Sequence, residues 1–172
     1  MSHLDDELFD ASFAEKSILV VDDAQAMIHM IGDLVRCFGF GDIKSANEGT
    51  EAFELIRRNT VDVIVCDYLM NGMDGIALAK LVRTSSSSPR PDTPIVMMTG
   101  HADRATLFAA RDAGINEFIV KPFASVDLFK KLAAVIDNPR KFVSVDDFVG
   151  PDRRRRLGDG FDGDDRRKTG SA

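Results

Sequence analysis

Hydrophobic and polar positions along this chain fall into two patterns that take turns. The first is the short apolar run: Ser17-Ile18-Leu19-Val20-Val21, then Val61 to Asp67 (Val-Asp-Val-Ile-Val-Cys-Asp), then Ile95-Val96-Met97-Met98. Runs of this length, rich in Val and Ile, read as strands buried on both faces, as in a parallel sheet. The second pattern has helical spacing. Met27, Ile28, Ile31, Leu34, Val35 and Phe38 predict a helix near 24–38, which Gly39 and Gly41 stop. A short strand near 42–46 follows, and Asn47 is the expected N-cap of a helix over 48–58 that turns Phe53 and Ile56 inward.

Past the run ending at Asp67, the loop Tyr68-Leu69-Met70-Asn71-Gly72-Met73 leads to Asp74, the expected cap of a helix near 75–84. Ser85 to Pro94 holds four serines and three prolines and reads as a loop. A helix near 102–113 closes at Gly114, a fifth strand spans 115–120, and Ser125 is the expected cap of a last helix to about Ile136. Five strand–helix pairs at such short spacing imply a parallel sheet with helices on both faces, because the crossovers are right-handed. Ligands in such folds sit at the carboxyl ends of the strands. Here those ends carry Asp22 and Asp23, Asp67, Thr99 and Lys121. Each has an ordinary reading when taken alone. The Asp pair would be a helix cap, Thr99 a turn residue and Lys121 a solvated charge.

Composition narrows the setting. The 172 residues are 44% hydrophobic, enough for one domain with extensions. No apolar run approaches the roughly 20 residues of a bilayer span. The acidic start, Met-Ser-His-Leu-Asp-Asp-Glu, lacks the layout of a signal peptide. A cytoplasmic protein without membrane insertion is therefore expected. Cys37 and Cys66 are both expected to be buried small hydrophobes, not a disulfide or a metal pair. The net charge of −6 is uneven: residues 1–137 carry 13 basic against 21 acidic groups, and residues 138–172 carry 9 against 7. The shift suggests three parts: an N-terminal extension over 1–16, a domain over 17–137, and an Arg-rich, flexible C-terminal tail over 138–172.

Val-Val-Asp-Asp (20–23), Asp67 followed by Met70, Met73, Asp74 and Gly75, Met98-Thr99-Gly100 and Lys121-Pro122-Phe123 occur in one order and spacing. Together they resemble the CheY-like receiver domain of two-component response regulators, over about residues 16–137. The resemblance implies an α/β fold with a doubly wound five-stranded parallel sheet in the order 2-1-3-4-5. It also implies a stand-alone response regulator that takes a phosphoryl group from a histidine kinase or histidine phosphotransferase onto Asp67, catalysing only its own phosphorylation and dephosphorylation. Such transfer needs an in-line nucleophile and charge neutralisation, and three carboxylates alone would repel the donor. Mg²⁺ suits an all-oxygen site. By resemblance its ligands are Asp23, Asp67 and the backbone carbonyl of Leu69, with Asp22 acting mostly through water. Lys121 and the Thr99 hydroxyl would each reach a phosphoryl oxygen, and the Lys121-Pro122 bond would be cis.

Phe118 holds the position of the family's switching aromatic, which would reshape the 102–137 face toward an unidentified downstream protein. His101 reads as a loop residue that modulates phosphoryl lifetime. Two departures stand out. Many relatives carry proline where this chain has Asn71, so a less rigid loop is expected there. Leu69 brings no polar side chain to the site.

The tail holds no recognisable output domain. Phe142-Val143-Ser144-Val145 and Phe148-Val149 are apolar enough to dock, and Gly150-Pro151 breaks the chain before Arg153, Arg154, Arg155 and Arg156. The plain reading is a solvated, disordered tail. The alternative is a CheY-like adaptor whose arginines bind cyclic di-GMP or another polyanion, since guanidinium groups grip phosphates bidentately. Interspersed aspartates argue against specific DNA binding. Two other rivals are weaker. A phosphatase of the haloacid dehalogenase type would place a second acid where Leu69 stands, and a vestigial receiver would not keep Asp67, Thr99 and Lys121.

Overall fold

Alternation along each strand decides how this molecule is layered. The computed structural model describes residues 9–100, 103–145 and 148–152. Strands β1 (Ser17–Val21), β2 (Asp42–Ala46), β3 (Val63–Asp67), β4 (Ile95–Thr99) and β5 (Glu117–Val120) form one parallel sheet in the order β2-β1-β3-β4-β5. Successive side chains point to opposite faces. Leu19, Val21, Ile64, Cys66, Ile95 and Met97 therefore build one core, with Phe53 and Ile56 of helix α2 (Gly49–Arg58) and Leu78 and Val82 of α3 (Gly75–Thr84). Ile18, Val20, Val63, Val65, Val96, Met98 and Ile119 build the other. They face Ile31 and Val35 of α1 (Gln25–Cys37) and Leu128 and Leu132 of α5 (Ser125–Asp137). Helix α4 (Arg104–Asp112) joins the first layer through Ala110. This is the doubly wound architecture that the pattern predicts, in the expected strand order.

Local signals and structure part company at several caps. Asn47 does not cap α2. Its own backbone N–H donates to the Glu51 carboxylate at 2.8 Å, and Glu48 takes the cap position without a side-chain bond. At α5 the cap is Ala124, whose N–H donates to Asp127 at 3.3 Å, and Ser125 is already helical. Asp74 does cap α3, accepting from the Ala77 N–H at 2.7 Å. Cys66 is buried as expected, but Cys37 is exposed: it lies two residues beyond Val35, off the buried stripe of α1.

The extensions are partly folded onto the domain. Residues Ala11–Glu15 form a 3-10 turn that drives Phe13 to 0% exposure, its ring 4.7 Å from Phe40 and 5.9 Å from Phe129. Two segments expected within a loose tail instead pair as an antiparallel hairpin, β6 (Phe142–Val145) with β7 (Phe148–Pro151). Two strands alone are marginal in water. This pair is seated on the turn between α4 and β5. Gly114 has φ +82° there, and a Cβ on it would stand 3.0 Å from the Val149 carbonyl oxygen.

Arg83 of α3 fastens the same end of the sheet. It is 3% exposed, and its guanidinium donates to the carbonyls of Gly114 (2.8 and 3.1 Å), Pro91 (2.6 Å) and Thr93 (2.8 Å) and to Asn116 Oδ1 (3.0 Å). The Phe142 ring lies 5.5 Å from its charge centre. Burial pulls the guanidinium down to about 10, against the charge of Asp92, so it remains a cation at neutral pH. No helix among the described residues is long and apolar enough to cross a membrane.

Candidate functional site

The parallel register sends five strand ends to one edge, and the residues just past them meet there. Val21 pairs with Ala46 and Cys66, Asp67 with Met98, and Thr99 with Val120. Asp22 leaves β1 with its N–H on the Ala46 carbonyl (3.3 Å) and its side chain 1% exposed residue-wide. Its Oδ1 accepts from the Ala24 N–H at 2.9 Å, which is the helix-entry role that an Asp pair suggests by itself. Its Oδ2 accepts from Lys121 Nζ at 3.2 Å. Lys121 also meets Asp67 Oδ1 at 2.8 Å. Its backbone N–H is held by the Thr99 carbonyl (2.8 Å), and the Lys121-Pro122 peptide is cis, as expected. Thr99 is buried at the end of β4.

Asp23 is the exposed member of the carboxylate group. Both of its described bonds come from Asn71: the backbone N–H at 3.0 Å and the side-chain Nδ2 at 2.8 Å, each ending on Oδ2. The loop after Asp67 is thus tied to Asp23, where a slack loop was expected from the absence of proline. Leu69 is 56% exposed and carries no polar side-chain group. Gly75 earns its place by close approach. A Cβ there would stand 2.4 Å from the Asp67 carbonyl oxygen and 3.2 Å from Cys66 Sγ, so any side chain would push β3 aside.

Electrostatics follow from this crowding. Burial raises Asp67 above the ordinary carboxylate range; Lys121 opposes the rise and Asp22 adds to it. Burial by itself would lower Lys121, but the hydrogen bond and charge of Asp67, with those of Asp22, outweigh it and the ammonium is raised. The Cys66 thiol is pushed up to about 12 by burial and by the charges of Asp67, Asp74 and Asp22.

Three carboxylates face one lysine, leaving an excess of negative charge. Asp22, Asp23 and Asp67 each offer an oxygen within 4.8 Å of the others. Octahedral Mg²⁺ with bonds of about 2.0–2.1 Å keeps its oxygens about 3–4 Å apart, so a small contraction would bring this set onto one ion. The donors are hard oxygens only, which is the chemistry Mg²⁺ selects. Phe118 is half-buried, paired with Met97 in the β4–β5 register and packed on the α2–α3 side of the core. His101 and Arg153, Arg154, Arg155 and Arg156 lie outside the described residues.

Three comparisons bear on this geometry. The sequence profile of the response regulator receiver domain matches residues 18–133. The chemotaxis protein CheY-3 of Vibrio cholerae is 34% identical over 120 residues, covering 70% of this chain and 91% of that protein. A chemotaxis protein CheY homolog of Campylobacter jejuni is 37% identical over 120 residues, covering 69% and 91%. Among solved structures, Vibrio cholerae CheY4 superposes with a TM-score of 0.65 at 29% identity, covering 70% of this chain and 98% of that one.

Proposed function

The chain belongs to the response regulator receiver family, and from that premise we propose that it is a stand-alone phospho-acceptor switch whose acceptor is Asp67. The observation that carries this reading is the placement of Asp67 Oδ1 on Lys121 Nζ at 2.8 Å, beside two further carboxylates at the open edge of the sheet. In the transfer, an Asp67 oxygen attacks the phosphorus of a phosphohistidine on a histidine kinase or histidine phosphotransferase. The P–N bond breaks as the P–O bond forms, and the imidazole nitrogen leaves with its electron pair. Mg²⁺, held by Asp23, Asp67 and the Leu69 carbonyl, would supply charge neutralisation on the phosphoryl oxygens.

The protein's own groups do the rest. Lys121 gives up its contact with Asp67 as the acyl phosphate forms and follows the charge onto a phosphoryl oxygen, a move suited to a flexible point charge. The Thr99 hydroxyl takes another. Because Thr99 lies one strand from Phe118, its displacement opens space that the ring can fill, and this biases the 102–137 face between two arrangements. That face carries exposed Phe108, Val120 and Val126, with the Arg104 and Arg111 charge centres 5.6 and 4.8 Å from the Phe108 ring. Such a surface suits a downstream protein partner. Relatives named as chemotaxis proteins place the chain in two-component signalling.

Acetyl phosphate, a small donor, tests the core of the proposal. The wild type should be labelled in a Mg²⁺-dependent manner and Asp67→Asn should not. Labelling that persists in Asp67→Asn, or that ignores a chelator, would refute it.

A further inference from the structure

Of the three carboxylates at the site, two share a cation and the third does not. Lys121 binds Asp22 and Asp67, whereas the described partners of Asp23 are the two neutral donors of Asn71. An exposed aspartate left to itself samples several rotamers, and fixing one costs conformational entropy. Asn71 removes that cost in advance. Its backbone N–H and its amide converge on Oδ2, and no described hydrogen bond ends on Oδ1. The choice of an amide matters. A lysine in this place would order Asp23 and also cancel its charge, whereas an amide orders the carboxylate and leaves its full charge for a cation. Proline, which the resemblance places here in many relatives, has no N–H and no side-chain donor, so it could make neither bond.

The same two bonds act on the loop. Asn71 is four residues beyond Asp67 and two beyond Leu69. Fastening it to Asp23 closes a bracket that holds the end of β1 to the segment after β3. We propose that Asn71 is a positioning residue for the cation site, holding Asp23 by one oxygen so that the other is presented to Mg²⁺ and bracing the loop that carries the Leu69 carbonyl. This rests on the Mg²⁺ site of the proposed function and adds to it a residue outside the ligand set.

The test is a calorimetric titration of the full-length protein with magnesium chloride at fixed ionic strength. Asn71→Leu keeps the side-chain shape and lacks the donor; its Mg²⁺ dissociation constant should rise about three- to tenfold, the range of one ordinary net hydrogen bond, since the site is exposed. Its melting temperature without Mg²⁺ should match the wild type. Acetyl phosphate labelling of this variant should reach the wild-type rate at saturating Mg²⁺ and fall behind only below saturation; a general loop defect would slow it at every concentration. A second measurement needs no variant at position 71. In metal-free protein, Asp23→Ala removes the acceptor, and amide exchange at Asn71 should accelerate. Equal Mg²⁺ affinity of Asn71→Leu and wild type, or unchanged exchange at Asn71 in Asp23→Ala, would overturn the assignment. A wild type that takes up no Mg²⁺ is a distinct failure, that of the metal site itself.

Discussion

Lys121 and Arg83 are cations at opposite ends of the same sheet, each held by several oxygens, and they are held in different ways. Lys121, past the end of β5, is bonded to carboxylates of Asp22 and Asp67. Arg83, beneath the start of β4 and β5, is bonded to backbone carbonyls and one side-chain amide, with the charge of Asp92 acting on it. The planar fork of Arg83 is matched by fixed dipoles that have nowhere else to go, so its contacts are permanent. Lys121 is a point charge on a flexible stem between two like charges, and in the proposed function either contact can be exchanged for a phosphoryl oxygen. One end of the sheet is closed and finished. The other is left with surplus negative charge, which stability alone would not favour.

The largest expected effect separates the two directly. Arg83→Met removes the buried donor to the Gly114 and Thr93 carbonyls, leaves Asn116 Oδ1 with the Ile95 N–H alone, and should cost about 3–5 kcal/mol in a denaturant titration. The loss should be the same with and without Mg²⁺. Lys121→Met should cost about 1–2 kcal/mol in metal-free protein, because it leaves Asp22 and Asp67 facing each other without a cation. Mg²⁺ should restore most of that by binding the native state. If Mg²⁺ rescues both variants or neither, the distinction between the two ends fails.

Next in size is the hairpin that covers the Arg83 end. Phe142→Ala removes a half-buried ring against the guanidinium and should lower stability by about 1–2 kcal/mol, with acetyl phosphate labelling unchanged. Unchanged stability would mean that the hairpin lies on Arg83 without supporting it. The smallest effect concerns the open end. Asp67 has a folded-state pKa above its ordinary 3.8, so its ionised form costs stability. The sign follows: this group's contribution is most favourable at low pH and is lost as pH rises from 3.8 through the raised value. Asp67→Asn should therefore raise the melting temperature of the metal-free protein at pH 7, on the order of 2 °C. The gain should shrink to nothing below pH 3.8, where both states carry the proton. A gain that persists in acid would assign the effect to packing.

The site was largely legible in the sequence because topology concentrates it. Asp22, Asp67, Thr99 and Lys121 each follow an apolar run, and parallel strands deliver every such residue to one edge whatever the helices between them do. What escaped depends on contacts with no local signature. Phe13 is an isolated aromatic in an acidic stretch, and its partners Phe40 and Phe129 stand far along the chain. The hairpin showed itself only as two short apolar pairs, since its support, Arg83 and Gly114, precedes it by dozens of residues. Arg83 sits on a predicted helix without any mark that it points inward. The caps at Asn47 and Ser125 were misread for a related reason. A cap has a donor and an acceptor, and at both helices the carboxylate three or four residues along does the accepting. Asn71 read as slack because its partner Asp23 lies in the bend after β1, 48 residues earlier in the chain.

The burial of Cys66 has a practical consequence for following the proposed switch in solution. Its thiol, fully enclosed and titrating at about 12, holds almost no thiolate at neutral pH and is closed to reagents. Cys37 is exposed at the far end of α1. The unaltered chain thus offers one thiol to a maleimide dye, away from the carboxylate edge of the sheet. With no tryptophan and a single tyrosine, Tyr68, next to Asp67, it also carries one native fluorophore at the site. The proposed phosphoryl transfer can accordingly be watched from two independent positions in a protein with no engineered residue.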